Sequence, residues 1–350
     1  MIAPVTHILP LTRVRRARLL PENGRVLVRP GQKVNATDIV AESQQQSRHV
    51  LVDVRNGLRL NRKEPLDKYI DRRVGDRLQE GDVIGEAGGF FKHVVRSPVD
   101  GVVVAITGGR VLIEMPDTAF TLQAGITGVV SEVIPERGVI IEVTGALVQG
   151  IWGNGLIDMG VLLSLIRSPE DRITRDRLDV SMRGAVVLAG YCENADVFKA
   201  VADLPLRGLI LSSIASDVLP AASKAPFPVI VLEGIGCIPM DSAAFKLLTT
   251  NEKRDVSINA SAWDPFTGQR PELLVTLPVD GKQAPEVSAY KAGQTVRVQS
   301  PPYIGQIGVL TKVLPGRTRL SNGVRAYAGE IKLENNIQVI LPLMNLDVLE

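Results

Sequence analysis

The chain has 350 residues, of which 45% are hydrophobic, 22% are charged and 4% are aromatic, and its formal net charge is +2. This hydrophobic content excludes an intrinsically disordered protein, and the length predicts two or three domains at roughly 100–200 residues each. Charge is uneven along the chain, because residues 1–30 sum to +5 and residues 291–350 sum to +3, which leaves the middle near −6. The two ends are therefore the parts that would attract a polyanion.

Metal sites, disulfide scaffolds and membrane spans are not expected. Cys192 and Cys237 are the only cysteines, and the three histidines are scattered, so the spacing matches no set of metal ligands. We therefore expect no metal and no cofactor. No stretch approaches the roughly 20 uncharged apolar residues of a membrane span, and the basic cluster follows the apolar start of the chain, the reverse of a secretory signal. These features predict a cytoplasmic protein without membrane insertion.

Two internal repeats organise the first part of the chain. Residues 31–42 align without gaps on residues 75–86, and residues 100–114 are matched by residues 127–142. Each copy of the first repeat has a Gly at a turn, an apolar residue three positions later, and an Asp before an apolar pair. This pattern predicts strand, turn and strand. We expect residues 1–150 to form a β-rich domain of two related units with a basic N-terminal arm.

The unit Gly75–Glu86 followed by Ser97–Val103 resembles the barrel-sandwich hybrid of biotinyl and lipoyl domains, over about residues 22–115. Carriers of that family present the modified lysine at a hairpin tip, within a Met-Lys or Asp-Lys dipeptide. The candidate here is Lys92, which follows two phenylalanines and stands close to Ser97. The resemblance therefore implies the fold in a non-carrier form, and we expect Lys92 to be a solvated loop residue.

The hydrophobic pattern changes near residue 183. Short apolar runs follow, each typical of a strand covered on both faces; they lie at 185–190, 208–212 and 228–233. Helical segments are predicted between and after them, at 194–204, 216–225 and 241–250, with a fourth strand at 255–260. This alternation predicts a small Rossmann-like parallel α/β domain over residues 183–276, preceded by a helical linker over residues 151–182.

Parallel sheets bind ligands beyond the carboxyl ends of their strands. The sequence places a candidate ligand crevice there, made of Cys192, Glu193, Ser212, Ser213, Glu233 and Cys237. No His accompanies a Cys or Ser as a base, and Gly234 and Gly236 lack the third glycine of a dinucleotide fingerprint. We therefore predict no catalytic residue. A structural or partner-docking role is the alternative to a ligand site.

A turn-rich loop over residues 264–272 closes this domain. We expect it to expose Phe266 and Arg270, two residue types that are enriched at the centres of protein interfaces. The loop is therefore a candidate partner contact, although ordinary loop chemistry explains it equally well. A polar linker is predicted over residues 277–292.

The last module, residues 293–350, carries the clearest resemblance. Gly293–Val298 and Pro301–Leu310 resemble the KOW motif, with its strand, its turn before an aromatic residue and its glycine-containing return strand. The resemblance implies an SH3-like barrel that contacts RNA, DNA or protein, as in NusG-type transcription factors and several ribosomal proteins. It also implies a basic face with interleaved aromatic side chains, formed by Arg297, Tyr303, Arg317, Arg319, Arg325 and Tyr327.

Together these features predict a multidomain α+β chain: a barrel-sandwich hybrid, a Rossmann-like parallel α/β domain and a C-terminal SH3-like β-barrel. We expect a non-catalytic binding or scaffold protein of a nucleic-acid-associated or multiprotein complex. Its expected partners are proteins and either RNA or DNA, and self-association into a homo-oligomer is left open. The alternative is an accessory or carrier subunit of an enzyme complex, with a small-ligand site at the strand ends of the α/β domain.

Overall fold

A computed structural model of the chain describes residues 2–3, 5–44, 49–61, 68–88, 92–116, 119–202, 204–264, 269–278 and 288–349. The chain divides into two compact units. The large unit comprises Met1–Leu19, Val26–Val40 and Gln123–Glu350, and the small unit comprises Leu20–Arg25 and Ala41–Leu122. No helix in the described part of the chain is long and apolar enough to cross a membrane.

The described residues form mostly strands. In chain order these are β1 (Ile2–Ala3), β2 (Val5–Thr6), β3 (Ile8–Leu19), β4 (Arg25–Val26), β5 (Lys33–Val34), β6 (Ile39–Gln44), β7 (His49–Asp53), β8 (Arg77–Leu78), β9 (Val83–Ala87), β10 (His93–Arg96), β11 (Gly101–Thr107), β12 (Arg110–Glu114), β13 (Ala119–Gln123), β14 (Gly128–Ile134), β15 (Gly138–Gln149), β16 (Trp152–Gly153), β17 (Ile157–Ser164), β18 (Ala185–Ala189), β19 (Gly208–Ile214), β20 (Val229–Ile235), β21 (Asp255–Asn259), β22 (Glu272–Thr276), β23 (Ser288–Ala289), β24 (Thr295–Val298), β25 (Ile307–Arg319), β26 (Arg325–Leu333), β27 (Gln338–Pro342) and β28 (Leu346–Leu349). The helices are α1 (Val54–Gly57), α2 (Asp196–Ala202), α3 (Leu219–Ser223) and α4 (Ser242–Thr250).

An eleven-stranded sheet dominates the large unit, with strand order β16-β20-β19-β18-β17-β21-β22-β15-β14-β5 and with β3 paired to β15. Strands β17, β18, β19 and β20 are parallel to one another. Successive side chains of β18 pack in two different hydrophobic cores. Val187 lies in the core beside α2 and α3, and Val186 lies in the core beside α4. Both faces of these strands are therefore covered, as the continuous apolar runs predicted.

The predicted α/β alternation is confirmed element by element. Strands β18, β19 and β20 cover the three apolar runs, and β21 is the fourth strand. The three predicted helices form in shortened versions, as α2, α3 and α4. Side chains cap two of them, because Asn194 accepts a hydrogen bond from the Asp196 backbone N–H and Asp241 accepts from the first turn of α4.

The helical linker predicted over residues 151–182 is wrong. Residues 157–164 form β17, and the rest of the segment contains β16 and the short 3₁₀ turns Arg175–Arg177 and Val180–Met182. Strand β17 is parallel to β18 on one side and antiparallel to β21 on the other. Its backbone groups therefore complete two ladders of the large sheet, and this pairing outweighs the local helical tendency of the segment.

The small unit has its own core. Its four-stranded sheet has the order β7-β12-β11-β8, and β9 pairs with β10. Buried apolar side chains from these strands and from α1, among them Val54, Ile84 and Val111, lie together in one cluster. Lys92 is exposed and pairs with Glu86 at 3.2 Å, which fits a solvated loop lysine.

The two repeats fold into the same local structure, one copy in each unit. In the large unit β5 pairs with β14, and β14 pairs with β15; in the small unit β8 pairs with β11, and β11 pairs with β12. The two hairpins carry a bulge at the same repeat position, after Val103 in one and after Val130 in the other. The copies are nested along the chain, since the small-unit pair lies between the two halves of the large-unit pair.

A six-stranded sheet of the large unit contains the C-terminal module, with order β2-β28-β24-β25-β26-β27. Val296, Leu310 and Ile331 lie in its core. Strand β2 comes from the start of the chain and is parallel to β28, so the module includes residues far from it in sequence. Part of the predicted linker over residues 277–292 lies outside the described residues, and β23 within it pairs with β1.

Candidate functional site

The outer half of the β25–β26 hairpin gathers four of the predicted binding residues on one face. Arg317 stands directly opposite Tyr327, and Arg319 stands directly opposite Arg325. Because side chains alternate along a strand and opposed residues share a face, these four side chains point to the same side. We call this face the arginine ribbon. All four residues are exposed, whereas Thr318 and its partner on the opposite face are half-buried.

The ribbon is electrostatically unbalanced. Within the part of the chain that the structure describes, none of its three arginines has a carboxylate within 4.0 Å. Arg319 and Arg325 also face each other across the ladder, and like charges at directly opposed positions destabilise a strand pair. Two other exposed arginines of the large unit do have partners: Arg13 pairs with Glu142, and Arg15 pairs with Glu132 at 3.1 Å. The ribbon is thus a surface with charge left for an anion.

An irregularity in β25 sets the ribbon apart from the rest of the sheet. Between the pairs Val313↔Gly329 and Arg317↔Tyr327, strand β25 advances four residues while β26 advances two. The extra residues include Pro315 and Gly316, and Gly316 has a φ of 65°, a conformation that glycine adopts without strain. Extra residues in one strand bend it and increase its twist. The arginine ribbon therefore runs in a different direction from the part of β25 that precedes the irregularity.

The structure removes Arg297 and Tyr303 from this face. Arg297 is only 1% exposed, and Tyr303 is half-buried against the core of the C-terminal sheet. The prediction for Arg297 assumed that the polar face of β24 is open to solvent. It is wrong because the end of β20 covers that face: Arg297 forms an ion pair with Glu233.

Arg297 belongs to a group of four charged side chains and a threonine that we call the buried charge cluster: Thr6, Glu233, Arg270, Arg297 and Asp347. Arg297 pairs with Glu233 and, at 3.2 Å, with Asp347, while Arg270 pairs with the other oxygen of Asp347 at 3.2 Å. Thr6 donates to Asp347 and accepts from Arg270 at 3.0 Å. Two cations and two anions therefore balance.

The two carboxylates of the cluster keep Arg297 protonated. Burial works to lower its pKa, but the charges of Glu233 and Asp347 outweigh burial and raise the pKa overall. Arg297 is therefore a permanent buried cation, and a buried cation needs its anions. The cluster links β2, β20, β24 and β28 of the large unit, so its role is to hold these strands together.

The two residues predicted to form the interface loop contact have different outcomes. Phe266 lies outside the described residues. Arg270 was predicted to be exposed, and this is wrong, because its guanidinium is buried in the charge cluster and also lies over the ring of Trp263, with 5.2 Å from Cζ to the ring centroid. The polarity of the loop sequence could not show that Asp347, from the otherwise apolar β28, pairs with Arg270.

The predicted ligand crevice is largely filled by its own side chains. Cys192, Ser212, Ser213 and Glu233 are buried. Ser213 donates to the Ile238 carbonyl at 2.7 Å and accepts from the backbone N–H of the same residue at 3.1 Å, so it fastens the turn after β20. Burial raises the pKa of Cys192 to about 11, which makes it a neutral thiol of the core.

Only Glu193 and Cys237 of the crevice residues reach solvent, and Arg172 joins them. Its guanidinium donates to Glu193 at 2.7 Å and lies 3.6 Å from the Cys237 sulfur. The same guanidinium covers the ring of Tyr191, with 5.3 Å from Cζ to the centroid. The carboxylate and the stacked ring occupy Arg172, so this edge of the sheet carries an exposed ion pair.

Sequence reasoning missed Thr6, Arg172 and Asp347. Thr6 contacts Asp347, which is 341 residues away in the chain. Arg172 contacts Glu193, 21 residues away, and Asp347 contacts Arg297, 50 residues away. No motif marks such distant contacts. A weak signal existed for Asp347, because it is an acidic residue within an otherwise apolar strand, Leu346–Leu349.

Comparison with known proteins does not assign this chain to a family. No protein-family model matches the chain, and no curated protein matches it. Within the described residues, no group of three or more His, Cys, Asp or Glu side chains is placed to hold a metal ion.

Proposed function

We propose that this chain is a non-catalytic binding protein that attaches to nucleic acid through the arginine ribbon. The observation that carries the proposal is the set of three exposed guanidiniums on one face of the hairpin, none of which has an acidic partner in the described chain. Arginines in such an arrangement neutralise phosphates and release the counterions held around a nucleic acid. A cytoplasmic location belongs to the same proposal.

The fold also supports the proposal. The C-terminal sheet, with its glycine-containing return strand and small core, fits the SH3-like barrel that the KOW resemblance implies, and the parallel strands β17–β20 fit a Rossmann-like layout. Four of the six residues of the predicted crevice are buried. This packing favours a binding or scaffold role over the alternative of a small-ligand site.

The test is binding of the full chain to labelled RNA and DNA at about 50 and 200 mM salt, the interval over which phosphate contacts lose most affinity. The double variant Arg317→Ala/Arg319→Ala should weaken binding and reduce the slope of log affinity against log salt by about two. Arg13→Ala/Arg15→Ala is the matched control, because these exposed arginines have carboxylate partners. The control should leave the slope unchanged.

Poly-glutamate of similar charge distinguishes an acidic protein partner from nucleic acid. The proposal fails if the chain binds neither RNA nor DNA at the lower salt. It also fails if poly-glutamate binds as tightly as nucleic acid does.

A further inference from the structure

Tyr327 is placed unlike the other tyrosines of the C-terminal sheet. Tyr290 is buried and donates its hydroxyl to the carbonyls of Leu343 and Leu346, at 2.6 and 2.8 Å. Tyr303 packs against the core. Tyr327 is 46% exposed, and within the described residues its hydroxyl has no hydrogen-bond partner.

The neighbours of Tyr327 are cations. Arg317 faces it across the ladder, and Arg325 precedes it by two residues on the same strand and the same face. From this placement we infer that the arginine ribbon takes single-stranded nucleic acid, with one unpaired base stacked on Tyr327 and the flanking phosphates held by the arginines. This inference rests on the proposed function.

A nucleic-acid duplex has no free base face to stack on the ring of Tyr327. Phosphates of a duplex can be held by arginines alone, and the faces of its bases are already covered by their neighbours in the stack. A single strand offers bare base faces, and stacking on an aromatic side chain contributes about 1–3 kcal/mol per base. An aromatic ring set among cations therefore favours the single strand.

The size of the ribbon limits the site to a few nucleotides. The two opposed pairs are two residues apart along each strand, which is about 7 Å at the usual rise of a β-strand. That length accommodates one stacked base with a phosphate on either side. We therefore expect little dependence on base sequence, because every base has a face that can stack.

The experiment compares a labelled 12-nucleotide single strand with a blunt duplex of the same length, by fluorescence anisotropy at about 50 mM salt. Wild-type chain should bind the single strand more tightly. Tyr327→Ala should weaken single-strand binding about 5- to 150-fold, which is the stacking energy converted at about 1.4 kcal/mol per tenfold. Tyr327→Phe keeps the ring and should bind within about twofold of wild type.

Salt dependence separates stacking from charge. Tyr327→Ala should leave the salt slope unchanged, since no cation is lost, whereas Arg317→Ala/Arg319→Ala should lower it. Thermal unfolding of each variant, expected at the wild-type temperature for exposed side chains, verifies that the fold is intact.

Two results would overturn the inference while the proposed function stands. One is a duplex bound as tightly as the single strand. The other is unchanged single-strand binding by Tyr327→Ala while the double arginine variant binds weakly. Absence of binding to both probes by the wild-type chain overturns the proposed function itself, and the inference with it.

Discussion

Arg297 and Glu233 form an ion pair across 64 residues of sequence, with both side chains almost completely buried. Asp347 pairs with the other terminal nitrogen of the guanidinium, at 3.2 Å. The arrangement joins the end of β20, in the parallel part of the large sheet, to β24 and β28 of the C-terminal sheet. It accounts for why an arginine occupies a strand that is otherwise apolar.

Arg297→Met should lower the free energy of unfolding by about 3–5 kcal/mol, because it leaves two buried carboxylates facing one cation. Denaturant unfolding followed by circular dichroism measures this change. Arg317→Met is the matched control on an exposed position of the same sheet and should leave the free energy of unfolding unchanged. A loss below about 1 kcal/mol for Arg297→Met would contradict a structural role for the cluster.

Thr6→Val should cost about 1.5–3 kcal/mol of stability, because the hydroxyl of Thr6 bonds to two charged groups, Asp347 and Arg270. Valine has nearly the same shape, so the cost reports the lost hydrogen bonds. Thr6→Ser keeps the hydroxyl and should be markedly more stable than the valine variant. Equal stability of the two variants would show that strand β2 does not engage the cluster.

The two cysteines should differ in reactivity. Cys237 is exposed and Cys192 is fully buried, so a thiol reagent should modify one thiol per native chain and both thiols in denaturant. Ellman's reagent measures the number, and the variants Cys237→Ala and Cys192→Ala assign it. The Cys237→Ala chain should be unreactive until it unfolds. Rapid labelling of that variant under native conditions would contradict the burial of Cys192.

Stability should fall at alkaline pH through Cys192. Burial raises its pKa from 9.0 to about 11, so the unfolded chain releases this proton at a lower pH than the folded chain does. The contribution is complete below pH 9 and is lost as pH rises through 11, to a total of about 2–3 kcal/mol. Comparing wild type with Cys192→Ala from pH 8 to 11 isolates the effect. Parallel curves for the two proteins would refute it.

The nested repeats predict matched effects at Gly31 and Gly75. Both glycines have positive φ, 81° and 98°, and no atom stands within 4 Å of the position a Cβ would take at either one. Substitution by Ala should therefore cost only backbone strain, about 1–2 kcal/mol, and should cost the same in each unit. Thermal unfolding of the two variants measures the cost, and Gly→Asn at the same positions should cost less. A large difference between the two sites would argue against equivalent turns.

The local pattern of the sequence was enough to predict several parts of the fold. Runs such as Ala185–Ala189 are apolar at every position, a composition typical of a strand covered on both faces. The repeats predicted equivalent turns, because turn glycines and the Asp of each copy act within a few residues. Segment 157–164 is a strand although the sequence predicts helix there, because its two pairing partners are 24 and 102 residues away, counted from Val161↔Ala185 and Ile157↔Asn259.

By itself the sequence determined the β-rich character, the repeats and the alternation of strands and helices between residues 185 and 260, since each depends on near neighbours in the chain. Only the tertiary structure decided that Arg297 and Arg270 are buried while Arg317, Arg319 and Arg325 are exposed. The physical reason is that alternation along a strand tells which residues share a face, whereas what covers that face comes from distant segments. Here Glu233 at the end of β20 covers Arg297 on the C-terminal sheet, and the arginine ribbon remains open to solvent.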